Sequence, residues 1–230
     1  MPDEILKIQN VSKIYSTDGI EVHALRSLSL SIEEGEFTAI AGPSGSGKTT
    51  LLNIISGLDT PTSGQALLAG KPISTMKGSE LSDFRRDHIG FIFQAYNLIP
   101  VLTVKENIEY IMLLQGIQEK ERYSRVASIL KKVGLDGMEN RQPKQLSGGQ
   151  QQRVAVARAM VSNPSIILAD EPTANLDSNT GASLLDIMRD LNKSVGMTFV
   201  FSTHDTMIME RASRLVLLRD GEIVTDERRQ

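Results

Sequence analysis

Ser27-Leu-Ser-Leu-Ser-Ile32 alternates polar and apolar residues without a break, the period of a half-buried β-strand. Glu36-Phe-Thr-Ala-Ile-Ala41 predicts a second strand, and it runs straight into a glycine cluster. Thr49–Ser56 has helical spacing and stops at Gly57, a residue type that ends helices readily. Gln65–Ala69 and Ile89–Phe93 are short apolar runs between turn residues and predict further strands. The first forty residues read as β structure.

The pattern changes after Gln94. Thr103-Val-Lys-Glu106 has the spacing of a capping box and opens a helix that reaches about Gln115. Helical spacing continues through Glu119–Val133 and Gly148–Ser162. Strands return at Ser165–Ala169, Met197–Ser202 and Arg214–Leu218, with a helix from about Thr180 to Lys193 between the first two. A β-rich start, a helical middle and a βαβ end predict an α/β nucleotide-fold core with a helical subdomain inserted at roughly residues 95–160. Asp226–Gln230 reads as a solvated tail.

Composition narrows the classes. The chain has 230 residues, enough for one large domain or two small ones at about 100–200 residues each. Hydrophobic residues at 40% and charged residues at 23% exclude disorder as the main description. A formal net charge of −3 argues against a nucleic-acid binder held by a basic surface. The absence of cysteine excludes disulfides and cysteine metal sites, and the three histidines, His23, His88 and His204, are scattered. No apolar run approaches the ~18–20 residues that span a bilayer. The greasiest stretch, Ile108–Ile117, is interrupted by Glu109 and Gln115. The N-terminus carries acids where a signal peptide needs a basic start. The expectation is a soluble, cytosolic chain that reaches a membrane only through a partner.

Two motifs carry chemistry. Gly42, Pro43, Ser44, Gly45, Ser46, Gly47, Lys48 and Thr49 fit G-x-x-x-x-G-K-[ST] between a predicted strand and a predicted helix, with Thr50 following inside that helix. The glycines let the backbone curl so that N–H groups face phosphate oxygens, and the helix adds its positive end. Lys48 supplies a mobile charge for the β- and γ-phosphates, and Thr49 a hydroxyl for Mg2+. The second motif is Ile166-Ile-Leu-Ala-Asp170-Glu171, an apolar strand ending in two carboxylates. On its own it reads as an ordinary solvated turn. Beside a phosphate loop, Asp170 reads as a member of the Mg2+ shell and Glu171 as the group that polarises the attacking water.

Leu146-Ser147-Gly148-Gly149-Gln150, followed by Gln151-Gln152-Arg153, resembles the signature of ATP-binding-cassette ATPases. Other elements of that family appear in order. Tyr15 is similar to the aromatic that stacks on adenine, Gln94 to the Q-loop glutamine, and His204 to the switch histidine. Asn175, Leu176 and Asp177 resemble the D-loop, with Asn175 where many members carry alanine. The resemblance implies an active ATPase with ATP and Mg2+ as ligands. Glu171, His204 and Gln94 would be catalytic, and Gln94 would join Thr49 and Asp170 around the metal. It implies a P-loop NTPase (RecA-like) core with an N-terminal antiparallel β subdomain and an inserted α-helical subdomain. These would form one nucleotide-binding domain over 1–230: core and β subdomain at about 1–94 and 161–230, helical subdomain at about 95–160. It also implies that Ser147, Gly148, Gly149 and Gln150 face the ATP of a second copy, so that two ATPs lie between two cassettes.

Taken singly, Tyr15 would be packing and His204 a surface histidine; His23 and His88 match no role and read as structural. Tyr96, Leu98, Ile99, Val101 and Leu102 either complete the core or dock a partner's helix. The stretches 42–57, 94–100 and 171–177 most resemble the macrolide-exporter and lipoprotein-releasing branch. The expected function is an energy-coupling subunit that dimerises on ATP and drives a separate membrane permease. It would work at the cytoplasmic side of the inner membrane, exporting or extracting a lipoprotein, peptide or drug. The alternative is a related ATPase acting on nucleic acid or chromosomes. Against it stand the negative charge and the lack of a long coiled-coil insert or a second cassette.

Overall fold

The protein is described here by a computed structural model covering residues 3–17 and 19–229. In chain order the strands are β1 (Glu4–Thr17), β2 (Ile20–Glu33), β3 (Phe37–Ala41), β4 (Ser63–Leu68), β5 (Lys71–Pro72), β6 (Ile89–Ile92), β7 (Ile166–Asp170), β8 (Phe199–Thr203), β9 (Arg214–Arg219) and β10 (Glu222–Arg228). The α-helices are α1 (Lys48–Ile55), α2 (Gly78–His88), α3 (Val104–Leu114), α4 (Glu119–Lys132), α5 (Gly148–Met160), α6 (Ser178–Val195) and α7 (Thr206–Arg211). One sheet is antiparallel, in the order β2-β1-β4-β5, and the other runs β10-β9-β3-β8-β7-β6. In the second sheet β9, β3, β8, β7 and β6 are parallel, and β10 closes one edge antiparallel to β9. This is the RecA-like core with an antiparallel β subdomain and a helical subdomain.

The strands of the parallel sheet are apolar on both faces because each face meets a different core. Successive side chains point to opposite sides. Phe199 and Phe201 of β8 enter a core shared with α3, α4, α5 and α6, whereas Val200 enters one shared with α1 and the antiparallel sheet. Ala39 and Ala41 of β3 follow the first pattern, and Ile40 the second. Parallel register also aligns the carboxyl ends, with Ala41 beside Thr203 and Asp170 beside Ser202. Sites in such sheets lie beyond those ends.

Local signals set several helix limits. Thr103 and Glu106 form the reciprocal capping box that opens α3, and Ser147 and Gln150 do the same for α5. Ser56 ends α1, and Gly57 follows with φ 66°. The expected tail at Asp226–Gln230 is corrected as far as Arg228: it belongs to β10. The Arg214 guanidinium forks onto Asp226 at 2.7 and 2.8 Å and reaches Glu36 at 3.0 Å, while Arg228 reaches Glu33 at 2.6 Å. Hydrogen bonding to Arg214 holds the Asp226 carboxyl below the usual aspartate range. Gln230 lies outside the described residues.

Candidate active site

Residues 42–47 leave β3 and turn into α1 by pressing onto two neighbouring strands. A Cβ at Gly42 would stand 2.1 Å from the Leu218 carbonyl oxygen, and one at Gly47, with φ 101°, 2.5 Å from that of Ala24. Only glycine permits this approach. Lys48 is buried, and its Nζ donates to the carbonyls of Gly42 (2.7 Å) and Pro43 (2.9 Å). Ser46 Oγ is buried without a protein partner. The loop walls a cavity of about 590 Å³ that Val22, His23 and Ala24 of β2 also line, with Gln94, Glu171 and His204. A larger groove of about 930 Å³ lies over the antiparallel sheet, where Arg214 and Asp226 are already tied to each other.

Beside the loop, Thr49 Oγ1 sits 3.5 Å from each carboxylate oxygen of Asp170. Gln94 lines the same cavity, and the oxygens of these three side chains form a donor set that fits Mg2+, a hard cation that completes its shell with phosphates and water. One residue on, Glu171 adopts φ 45°, a left-handed conformation that costs a non-glycine residue about 1 kcal/mol or more. It is held there because its N–H donates to the Ser202 carbonyl at 2.9 Å. Its carboxylate accepts from Thr203 Oγ1 at 3.1 Å and lies 2.6 Å from His204 Nδ1. The carboxylate is mostly buried, while the His204 ring is 70% exposed at the cavity.

The other expected site residues fall in three places. Tyr15 pairs with Val22 across the β1–β2 ladder, one strand from the cavity lining. Its hydroxyl donates to Asp59 Oδ2 at 2.7 Å, and Lys13 Nζ stands 4.8 Å from its ring centre. Burial, then the bond to Asp59, raises the Tyr15 phenol pKa above its ordinary value. Ser147 caps α5 and does not line the cavity; its Oγ accepts from the Gln150 N–H at 3.3 Å. Asn175 is exposed, Leu176 packs on the core with the helices, and Asp177 caps α6 through the Thr180 N–H at 3.0 Å. Gly148 and Gly149 form the first turn of α5, where a Cβ on Gly149 would meet Thr180 Cγ2 at 2.3 Å.

Sequence reasoning missed His23. It reads as structural, yet it lines the phosphate cavity, brought there by β1–β2 pairing that no local pattern reveals. His88 behaves as expected: it stacks on Phe84 and bonds Ser165 Oγ at 2.9 Å. The apolar residues after Gln94 divide. Leu98 packs on the core, whereas Ile99 is 39% and Val101 75% exposed.

Residues 25–174 match the family model described as ABC transporter. The chain is 46% identical over 222 residues to the macrolide export ATP-binding/permease protein MacB of Mannheimia succiniciproducens. That match covers 96% of this chain and 34% of MacB, so the chain spans about a third of that relative's length. It is 48% identical over 220 residues to the ABC transporter ATP-binding protein MJ1508 of Methanocaldococcus jannaschii, covering 96% of this chain and 98% of that protein. The cassette MJ0796 of the same organism, solved as a dimer in a post-hydrolysis state with ADP and Pi, superposes with TM-score 0.89 at 44% identity. It covers 98% of this chain, and 99% of MJ0796 is matched. A family model across most of the chain, and relatives matched nearly end to end, lead to one conclusion: this chain belongs to the ABC transporter family, as one of its ATP-hydrolysing cassettes.

Proposed function

We propose that two copies of this chain close around two ATP molecules and drive a membrane permease that exports its substrate. The observation that carries this reading is the Glu171 carboxylate, held by Thr203 and His204 beside the phosphate loop. Glu171 takes a proton from water as the water oxygen bonds the γ-phosphorus and the bond to ADP breaks. His204 steadies the carboxylate through Nδ1 and keeps Nε2 for the γ-phosphate. Lys48 exchanges the Gly42 and Pro43 carbonyls for phosphate oxygens. Thr49, Asp170 and Gln94 would hold Mg2+, which when bound neutralises charge on the β- and γ-phosphates. Tyr15 stacks on adenine. Ser147, Gly148, Gly149 and Gln150 of the second copy cover the γ-phosphate, and Asn175, Leu176 and Asp177 lie at the contact between copies. The segment of about 95–160 acts as the helical arm that carries the signature.

Three things support the wider assembly. MJ0796 was solved as a dimer. A groove of about 310 Å³ lined by Phe91, Phe93, Ile99 and Tyr110 offers an apolar seat for a permease helix. MacB and the pyoverdine export ATP-binding/permease protein PvdT of Pseudomonas fluorescens, 44% identical over 98% of this chain, are both named for export. The site of action is then the cytoplasmic face of the inner membrane. Specific ATPase activity should rise with protein concentration until dimers saturate. Detergent extracts should yield a co-purifying permease that Ile99→Glu releases. Activity independent of concentration overturns the dimer, and stimulation by DNA with no permease recovered would favour a nucleic-acid role.

A further inference from the structure

Two loops that approach the phosphate cavity are tied to each other by side chains far apart in sequence. Asn175 Nδ2 donates to the Gln94 carbonyl at 2.9 Å, and Tyr96 Oη donates to the Asn175 carbonyl at 3.4 Å. Each loop thus uses one side chain to hold the other's backbone. The loop after Gln94 could not keep its path unaided. Tyr96 and Asn97 have φ 58° and 50°, left-handed values that a side chain tolerates only when its surroundings impose them. The surroundings are α5: Arg158 donates to the Tyr96 carbonyl at 2.8 Å and the Asn97 carbonyl at 2.5 Å. Gln152, also of α5 and fully buried, donates to the Pro172 carbonyl at 2.8 Å and the Phe93 carbonyl at 3.4 Å. The Tyr96 hydroxyl also lies 3.0 Å from where a Cβ on Gly148 would stand, so it meets the start of α5. Of these contacts, only the Asn175 bond reaches the backbone of Gln94 itself.

We propose that Asn175 is a positioning residue for hydrolysis: by holding the Gln94 carbonyl it fixes the Gln94 side chain in the phosphate cavity, and it passes any displacement of residues 174–177 to that side chain. This rests on the reading of Gln94 as a group that acts on the nucleotide. Asn175 touches no reacting atom, and its effect runs through Gln94. Tyr96 closes the clasp from the opposite loop with the longer and weaker bond.

The test is a double-mutant cycle between positions 94 and 175, with kcat, KM and hydrogen exchange of residues 93–98 as readouts. Asn175→Ala should lower kcat about 3–10-fold with KM within about twofold, the scale of one hydrogen bond lost in the reacting complex. Exchange across 93–98 should speed up. Asn175→Asp keeps the size but replaces the donating amide with an acceptor, and should match Asn175→Ala. In a Gln94→Ala background, Asn175→Ala should add nothing. If the two substitutions multiply, or if Asn175→Asp keeps wild-type kcat, the clasp is overturned. If Gln94→Ala alone leaves kcat unchanged, the reading of Gln94 falls and the proposal falls with it. That failure is recognisable because exchange at 93–98 would still respond to Asn175→Ala.

Discussion

The phosphate cavity and the start of α5 make opposite use of the same device, a helix N-terminus. At α1 the loop curls over the helix start, Lys48 folds back onto its carbonyls, and Glu171 and His204 close one side. Everything there is gathered from one chain, and the cavity remains open. At α5 the helix start carries its own cap, Ser147 against Gln150, and does not line that cavity. The first N–H groups of a helix lack intrahelical partners, and the Ser147 hydroxyl takes only that of Gln150, so the Gly148 and Gly149 N–H groups have no acceptor among the described residues. One region is a cup without a cover and the other a cover without a cup. If, as proposed, the two halves meet across two copies, a site split this way is complete only in the dimer, and ATP decides when the copies meet.

The largest effect should come from the cup. Glu171→Gln should retain ATP binding while turnover falls by about two to four orders of magnitude, and it should leave a long-lived nucleotide-bound dimer on a sizing column. Turnover at the wild-type rate would remove Glu171 from the chemistry.

The split itself is tested by mixing. Lys48→Ala damages the cup, Ser147→Arg damages the cover, and each alone should lose nearly all hydrolysis. In an equal mixture half the dimers are mixed, and each of those has one intact site of two, so recovery on the order of one quarter is expected if single sites fire. No recovery, or full activity of Ser147→Arg alone, would mean that the cover does not act across copies.

Smaller effects sharpen the boundary of the cup. Tyr15→Ala should weaken ATP binding by about 1–3 kcal/mol if the ring carries the base. Tyr15→Phe should leave ATP affinity nearly intact and lower Tm slightly, because the hydroxyl serves Asp59. Equal losses of affinity would point to the hydroxyl instead. Asp226→Asn lies away from both regions and should leave hydrolysis unchanged, at a cost of about 1–3 kcal/mol, because the buried Arg214 loses a charged acceptor. The Asp226 pKa is lowered in the folded state, so its contribution is complete above the ordinary value of 3.8 and is lost as pH falls through the lower folded value. Melting curves of wild type and variant should therefore converge in acid; a gap that persists there would reject the ion pair as its cause.

The cup was almost wholly readable from the chain because its parts follow strands directly. The loop follows Ala41, Glu171 follows Asp170, and His204 follows Thr203. Capping boxes at Thr103 and Ser147 were equally plain, since both partners lie within one turn. Long-range pairings were not. β10 is charged enough to pass for a tail until Arg214 and Glu33 are placed beside it. α2 buries only Phe84 and so carries little apolar pattern. His23 depends on a ladder register, and Asn175 on a loop 81 positions away.

The division of β8 between two cores has a consequence for how such a chain can change its length. Removing one residue from Phe199–Thr203 would invert the residues on one side of the gap. If those before it invert, a phenylalanine faces the space built for Val200; if those after it invert, His204 turns away from Glu171. Residues can be exchanged one at a time here, but the spacing between Phe199 and His204 is a count that the lineage can hardly alter. Variation in length is left to turns such as Gly116 and Gly137, where even an added Cβ meets no atom within 4 Å.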